Sequence, residues 1–378
     1  MKPLKHQEKF AKDYEGKRLL VHEGGTGKTV CACLWLADLR DTDALVVCPK
    51  RVVKKWQKAL KDWGTEATVL SKEEFKKHPL KEWSAVVIDE ADEFASPLFT
   101  KGRSQLSEKM YDLVKEYKPL TLLLSATPVR SNPWNLHTLL CFMGVYIDWK
   151  KWREHFFSLE YRPYLPRPAW LPRPDWRERT VPFIEKYGDI VLLSECVGTL
   201  PPKIIEKVDV PVEKGFKLGE WEPTKAFYEE HRHEQKLKVK VVLEVAKDYR
   251  KVLVVAYYRE QIQELEKALS KERKTYAVWG DTKKQEEILT EANEYQGECF
   301  LIVQASLGAG FDANTFSCVV FVSMSYAVRD YVQMGFRVRR IHDLRPVKFY
   351  HLLAGRCDKA IYENVEKGKT FVPSEWSP

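Results

Sequence analysis

The segment His22-Glu23-Gly24-Gly25-Thr26-Gly27-Lys28-Thr29 stands between the apolar run Leu19-Leu20-Val21 and a helix-like stretch, and it constrains the fold more than any other part of the chain. A strand, a glycine-rich turn and a helix in that order make a phosphate cradle. The glycines let backbone N–H groups turn inward onto a β-phosphate, and the helix starting near Thr29 adds its positive dipole end. In such a loop Lys28 reaches the β- and γ-phosphates, and the Thr29 hydroxyl ligates Mg²⁺. The strict pattern G-x-x-x-x-G-K-T would put its first glycine where His22 stands. A glycine-rich turn with no ligand is the alternative reading.

At 378 residues the chain has room for two or three domains, each with its own core. Lys and Arg outnumber Asp and Glu by 62 to 54, a net charge of +8 that suits a polyanionic partner and equally suits a solvated lysine surface. The 8 cysteines include the close pair Cys31 and Cys33, but there is no C-x-x-C and no Cys/His cluster at zinc spacing, so free thiols in a reducing compartment are expected. Met1-Lys2-Pro3-Leu4-Lys5-His6 is too polar for a signal peptide, and no apolar run approaches the roughly 18 residues of a bilayer span. The expectation is a soluble intracellular protein, cytoplasmic or nuclear/nucleoid-associated, with no membrane contact.

Strand candidates Arg18–His22, Ala44–Cys48, Ala85–Asp89 and Thr121–Leu124 alternate with helical patterns, which implies a parallel sheet covered on both faces. After Gly144 the rhythm stops. It resumes from Lys203 with Ile204–Val210, Lys251–Ala256, Thr275–Val278, Phe300–Gln304, Cys318–Val322 and Val347–Leu352, and ends in a helix-like Asp358–Lys367. The expected organisation is a first α/β lobe over 1–145, a linker or insertion rich in Pro, Arg and Trp over 146–200, and a second α/β lobe over 201–378.

The insertion contains a tandem repeat, Leu165-Pro166-Arg167-Pro168-Ala169-Trp170 followed by Leu171-Pro172-Arg173-Pro174-Asp175-Trp176. Alternate prolines forbid helix and a central strand, so the segment should run extended. Two uses are open. Its arginines, with Tyr161, Arg162, Tyr164 and Arg177, suit stacking on bases or contact with a protein partner through 161–177, and its tryptophans and prolines suit a stiff structural strap.

The apolar strand Ala85-Val86-Val87-Ile88 ends in Asp89-Glu90-Ala91-Asp92. At that end Asp89 can hold Mg²⁺ through water, opposite Thr29, and Glu90 can accept a proton from the water that attacks a γ-phosphate. A nucleoside triphosphate with Mg²⁺ is what these residues call for.

With these motifs in place the chain resembles the superfamily 2 helicases and translocases, and the resemblance spans nearly all of it. Leu4-Lys5-His6-Gln7 is similar to the motif whose glutamine reads adenine, and a side-chain amide such as that of Gln7 can pair with N6 and N7 of that base. Val46 through Trp56 resembles motif Ia, Asp89 through Asp92 motif II, and Leu124-Ser125-Ala126-Thr127-Pro128 motif III. Lys251 through Val255 resembles motif IV, Gly308-Ala309-Gly310-Phe311-Asp312 motif V, and Gln333 through Ile341 motif VI. The resemblance implies two tandem RecA-like lobes, each a mostly parallel sheet with helices on both faces, that clamp ATP between them.

It also implies roles residue by residue. Glu23, Gly24, Gly25, Thr26, Gly27, Lys28 and Thr29 would bind the nucleotide together with Gln7, Gly310 and Asp312. Asp89, Glu90, Lys28 and Gln333 would serve hydrolysis, with Arg337 and Arg340 reaching the γ-phosphate in the family's Q-x-x-x-R-x-x-R pattern. Arg339 adds a charge between them, and Phe336 stands where relatives carry Gly or a small polar residue. Lys50, Arg51, Ser125, Thr127, Ser306 and Gly308 match the family's nucleic-acid contacts, although Ser125 and Thr127 suit coupling of phosphate state to lobe movement better than contact with DNA.

Cys48 through Trp56 and Leu200-Pro201-Pro202-Lys203 through Val208 resemble the Swi/Snf group of duplex DNA translocases, whose loop spelling D-E-x-G-x-G-K-T leaves His22 and Gly24 at tolerant positions. Asp-Glu-Ala-Asp and Ser-Ala-Thr are spellings commoner elsewhere in the superfamily. The expectation is a minimal, monomeric motor core that grips a nucleic-acid backbone, DNA favoured over RNA, with weak sequence specificity. An RNA helicase, a nucleotide-gated DNA clamp and the motor subunit of a larger nuclease or recombination complex remain open.

Overall fold

The computed structural model describes residues 2–12, 16–39, 42–99, 104–129, 133–161, 167–196, 203–211, 236–307, 311–324, 328–338 and 345–367. These divide into two compact units, one running to Cys196 and the other beyond it.

The first unit is built on a sheet of six parallel strands: β1 (Leu19–His22), β2 (Ala44–Cys48), β3 (Thr68–Ser71), β4 (Ala85–Asp89), β5 (Leu120–Leu124) and β8 (Gly188–Val191), in the order β3-β2-β4-β5-β1-β8. The strands read as unbroken apolar runs because both faces are covered. Alternation still sorts their side chains. Leu19, Val21, Leu45, Val47, Val86, Ile88 and Leu123 enter one core, while Leu20, Val46, Cys48, Val87, Leu122 and Leu124 enter the other. Phe10, Trp35 and Trp56, from the helices Lys5–Lys12, Lys28–Asp38 and Val53–Asp62, close the second face. The first is closed by the helices Gln105–Tyr117, Trp134–Phe142, Trp149–Phe156 and Val181–Tyr187, through Met110, Leu139, Trp152 and Ile184.

The expected boundary at 145 is therefore corrected. Residues 146–196 belong to the first unit: Trp152, Phe156, Trp176 and Ile184 fill its core, and β8 pairs with β1 along its whole length. Strands β6 (Phe157–Glu160) and β7 (Ala169–Pro172) form a separate antiparallel ribbon that pairs Leu159 with Trp170. Pro172 is compatible with this pairing because, among the described residues, no further strand flanks the ribbon.

The second unit repeats the plan with β9 (Lys203–Val210), β10 (Lys251–Ala256), β11 (Lys274–Val278), β12 (Cys299–Gln304), β13 (Cys318–Phe321) and β14 (Val347–Ala354), all parallel, in the order β11-β12-β10-β13-β14-β9. Val252, Val254, Phe300, Ile302, Cys318 and Val320 pack against Val242, Ile262 and Leu265 of the helices Val239–Ala246 and Arg259–Leu269. The edge strand β9 alternates charge with apolar residues, and Glu206 and Asp209 pair with Lys348 and Lys359. Two α/β units with parallel, helix-covered sheets are what the sequence led us to expect. Among the described residues no helix is long and apolar enough to cross a membrane.

Candidate nucleotide site

In a parallel sheet all carboxyl ends lie along one edge, and in the first unit that edge gathers the loop after β1, the acids after β4 and Ser125 after β5. Leu20, Leu124 and Asp89 stand in one row across the three strands, and Ser125 N donates to Leu20 O at 3.1 Å.

The loop is held from below. Glu23 is buried and its Oε2 accepts from Leu193 N at 2.7 Å, while Thr26 Oγ1 donates back to Glu23 O at 2.8 Å. Gly25 and Gly27 adopt φ of 88° and 85°, the left-handed region that glycine enters without penalty. A Cβ on Gly27 would come within 2.3 Å of Gln7 Nε2, so a side chain there would displace the Gln7 amide as well as strain the backbone. Gly27 also supplies no side-chain cap to the helix Lys28–Asp38, whose first turn carries no acid, so its dipole end is open to an anion. Lys28 Nζ lies back over the loop, donating to His22 O at 2.8 Å and Glu23 O at 3.3 Å. Thr29 is half-buried in the first turn.

Gln7 sits directly on this loop. Its Nε2 donates to Thr26 O at 2.9 Å and its Oε1 accepts from Leu4 N at 2.8 Å, so both ends of the amide are engaged within the protein. The neighbouring His6 reaches the same carbonyl at 3.0 Å. His22, in the position of the missing glycine, is fully buried with Nε2 on Asp189 Oδ2 at 2.7 Å. Burial holds its ring pKa below the usual value in spite of Asp189.

Asp89 is gripped by two donors, Trp56 Nε1 to Oδ2 at 2.9 Å and Glu90 N to Oδ1 at 3.0 Å. Burial lifts its carboxyl above the ordinary range, while the Trp56 hydrogen bond and then the Lys28 charge pull it back. Glu90 is left-handed, at φ 50° and ψ 52°, a conformation that costs a non-glycine residue roughly 1–2 kcal/mol. A strained carboxylate at a strand's carboxyl end is a functional signature. Asp92 is buried, and Ser125 Oγ donates to its Oδ1 at 2.8 Å while accepting from Thr127 N at 3.1 Å. The acidic turn and the Ser-Ala-Thr turn are thus one hydrogen-bonded unit.

Ser125 is fully buried on Asp92, and Thr127 Oγ1 is buried without a hydrogen-bond partner among the described residues, an arrangement that suits coupling to the acidic turn better than contact with a nucleic acid. Lys50 is exposed and Arg51 half-buried on the turn Lys50–Val52 after β2, and Ser306 is exposed after β12. In the ribbon segment Arg167 is exposed, whereas Arg173 Nη2 donates to Glu154 O at 3.2 Å and Trp176 is in the core. Arg153 stacks on Trp149 and Trp170, 4.9 and 4.3 Å from their ring centroids. From Ala169 onward the repeat is part of the first unit's structure. Arg162 and Tyr164 lie outside the described residues.

In the second unit Gln333 is buried and Arg337 half-buried, one turn apart on the helix Val328–Val338. Arg337 O accepts from Ala313 N at 3.0 Å, and Asp312 O accepts from Asn293 Nδ2 at 2.6 Å. The arginine helix is thereby tied to the segment after motif V. Gly308, Gly310 and Arg340 lie outside the described residues.

Residues 236–342 match the model of the helicase conserved C-terminal domain. That span takes in β10 to β13 and the helix bearing Gln333 and Arg337, so the match falls within the second unit. Among solved structures, the chain is similar to the Sulfolobus solfataricus SWI2/SNF2 ATPase core in complex with dsDNA, at 14% identity and a TM-score of 0.45, over 99% of this chain and 92% of that one. No curated protein matches.

Trp56 and Asp92, named in the sequence only as members of their motifs, and Leu193, not named there at all, take part in the site. A fully buried tryptophan needs a partner for its indole N–H, and that need is the signal for Trp56. For Leu193 there is none, because it contributes only a backbone N–H.

Proposed function

We propose that the protein is a nucleic-acid-stimulated ATPase, a motor that steps along a DNA backbone. The observation that carries this reading is the edge shared by the loop and the motif II acids: an open helix end, Lys28, and Glu90 in strained backbone beside a doubly anchored Asp89. The loop would take the β- and γ-phosphates of ATP, and Glu90 would accept the proton of the attacking water. Thr29 and Asp89 offer hard oxygen donors, which fit Mg²⁺. When bound, that ion would neutralise charge on the β- and γ-phosphates. Arg337 and Arg340 would stabilise the charge that develops on the transferred group, as planar guanidinium fingers do.

Exposed Lys50 and Ser306 suit contact with phosphates, and a backbone grip of that kind predicts weak sequence specificity and strong salt dependence. DNA is favoured over RNA by the likeness of Cys48 through Trp56 to the duplex translocases. The test is the ATPase rate with single-stranded, duplex and forked DNA, with RNA, and with no nucleic acid. Stimulation by DNA, lost in Lys28→Ala and Glu90→Gln, is expected. Equal rates with and without nucleic acid would overturn the motor reading, and stimulation by RNA alone would reassign the track.

A further inference from the structure

Two histidines and a cysteine, far apart in sequence, meet beneath the phosphate loop, and a second cysteine lies against one of the two rings. Ligand atoms of His6, His22 and Cys31 lie within 4.8 Å of one another. Cys31 Sγ is 3.9 Å from His22 Nδ1, and Cys196 Sγ is 3.5 Å from His6 Nδ1. Zinc, held about 2.3 Å from a thiolate and about 2.0 Å from an imidazole, sets ligand-to-ligand edges of about 3.5 Å in a tetrahedron. Both sulfur–nitrogen edges are already close to that length.

The surroundings of the two rings match a metal site as well. A ligating histidine holds its second nitrogen on a carboxylate or a backbone carbonyl, which fixes the tautomer and aims the other lone pair. His22 Nε2 is on Asp189 Oδ2 at 2.7 Å, and His6 Nε2 is on Thr26 O at 3.0 Å. With the proton on Nε2, His22 Nδ1 faces Cys31 Sγ, whereas Cys196 Sγ stands 3.5 Å from His6 Nδ1 and 3.8 Å from His6 Nε2, so a side-chain rotation is needed to bring it onto the metal. His6 and Cys196 are half-buried, which leaves a way in from solvent, whereas His22 and Cys31 are fully buried.

We propose that His6, His22 and Cys31, joined by Cys196 after a rotation of its side chain, form a structural site for a borderline-soft divalent metal, zinc foremost. Binding replaces two S–H protons, released to solvent, with two metal–thiolate bonds, so the site is neutral overall. The metal would bolt four elements together: the amino-terminal helix, the end of β1, the phosphate-loop helix, and the short helix Leu193–Cys196 that closes the first unit. His22, unusual for a phosphate loop, and Cys31, inert in the nucleotide reading, then have one shared role. Sequence spacing hides the site because positions 6, 22, 31 and 196 follow no zinc-finger pattern. It stands independently of the ATPase reading.

The test uses the full chain, purified without a histidine tag and with neither ATP nor nucleic acid present. Elemental analysis is expected to give about one zinc per chain, and cobalt substitution a thiolate-to-cobalt charge-transfer band with tetrahedral d–d bands. Cys196→Ser and His6→Gln, at half-buried positions that tolerate exchange, should weaken zinc retention against a chromophoric chelator, and Cys196→Ser should diminish the charge-transfer band. Asp189→Ala, which touches no ligand atom of the metal, should cost about 10–100-fold in affinity. A wild-type chain that retains no zinc and leaves cobalt with the spectrum of the aquo ion would reduce the cluster to two S–H···N contacts and overturn the proposal. An unchanged cobalt spectrum in Cys196→Ser would overturn the ligand assignment.

Discussion

Trp56 donates its indole N–H to Asp89 Oδ2 at 2.9 Å, from the helix that follows β2 in sequence. This bond stabilises the ionised carboxylate that burial opposes. Trp56→Phe keeps the ring and removes the donor, so the Asp89 carboxyl should titrate still higher. A hydrogen bond to a charged group contributes about 1.5–3 kcal/mol, so the acid limb of the ATPase pH profile should move upward. A limb that stays in place would show that Asp89 is not the titrating group.

The same shift has a stability consequence. Asp89 titrates above the ordinary value of 3.8 in the folded chain, so its ionised form opposes folding. This contribution is least harmful below the unfolded pKa, and stability falls as pH rises through the folded one. At neutral pH, Asp89→Asn should raise Tm while abolishing ATP turnover. A lower Tm would mean that Lys28 and Trp56 outweigh the desolvation.

Glu90 gives a sharper separation of strain from chemistry. Glu90→Gly relieves the left-handed penalty at φ 50° but adds chain entropy, for a net gain of about 0.5–1 kcal/mol. Glu90→Gln keeps the strain and should melt with the wild type. Both should lose turnover. Equal melting of all three proteins would remove strain from the account.

Much of this was legible in the sequence for a physical reason. Both sheets are parallel and doubly covered, so β2, β4, β10 and β12 appear as apolar runs that need no partner to be recognised. The loop was legible because its glycines are required by geometry at Gly25 and Gly27. The assignment of 146–196 was not, because β8 has only four residues and its place is decided by pairing with β1 across a long chain separation. Composition misled there too: tryptophan among arginine and proline reads as a strap, yet Trp152 and Trp176 are core. The hydrogen bond from Ser125 to Asp92 was hidden for the same reason, since tertiary proximity decides whether a serine meets water or a carboxylate.

That bond yields a prediction of its own. Ser125→Ala removes a donor from a fully buried carboxylate, which should cost about 1–3 kcal/mol of stability. A hydroxyl so buried makes no phosphate contact, so DNA affinity and its salt slope should match the wild type, with the loss appearing in DNA-stimulated turnover. A reduced salt slope would return Ser125 to the nucleic-acid track.

In the second unit the fully buried Lys238 forms an ion pair with Asp358, whose Oδ2 also accepts from Ala354 N at 2.9 Å. The pair ties the turn Lys236–Lys238, where the family match begins, to the end of β14 and the helix Gly355–Lys367. Two charges removed from water together are tolerable because each satisfies the other; removing one leaves the other desolvated. Lys238→Met should therefore cost about 3–5 kcal/mol, whereas Lys238→Met with Asp358→Leu should recover most of it. The measurement is the urea midpoint of both variants, with the double-mutant cycle giving the coupling. Additive losses would mean that the two side chains act separately and that the buried pair does not hold this corner of the second unit.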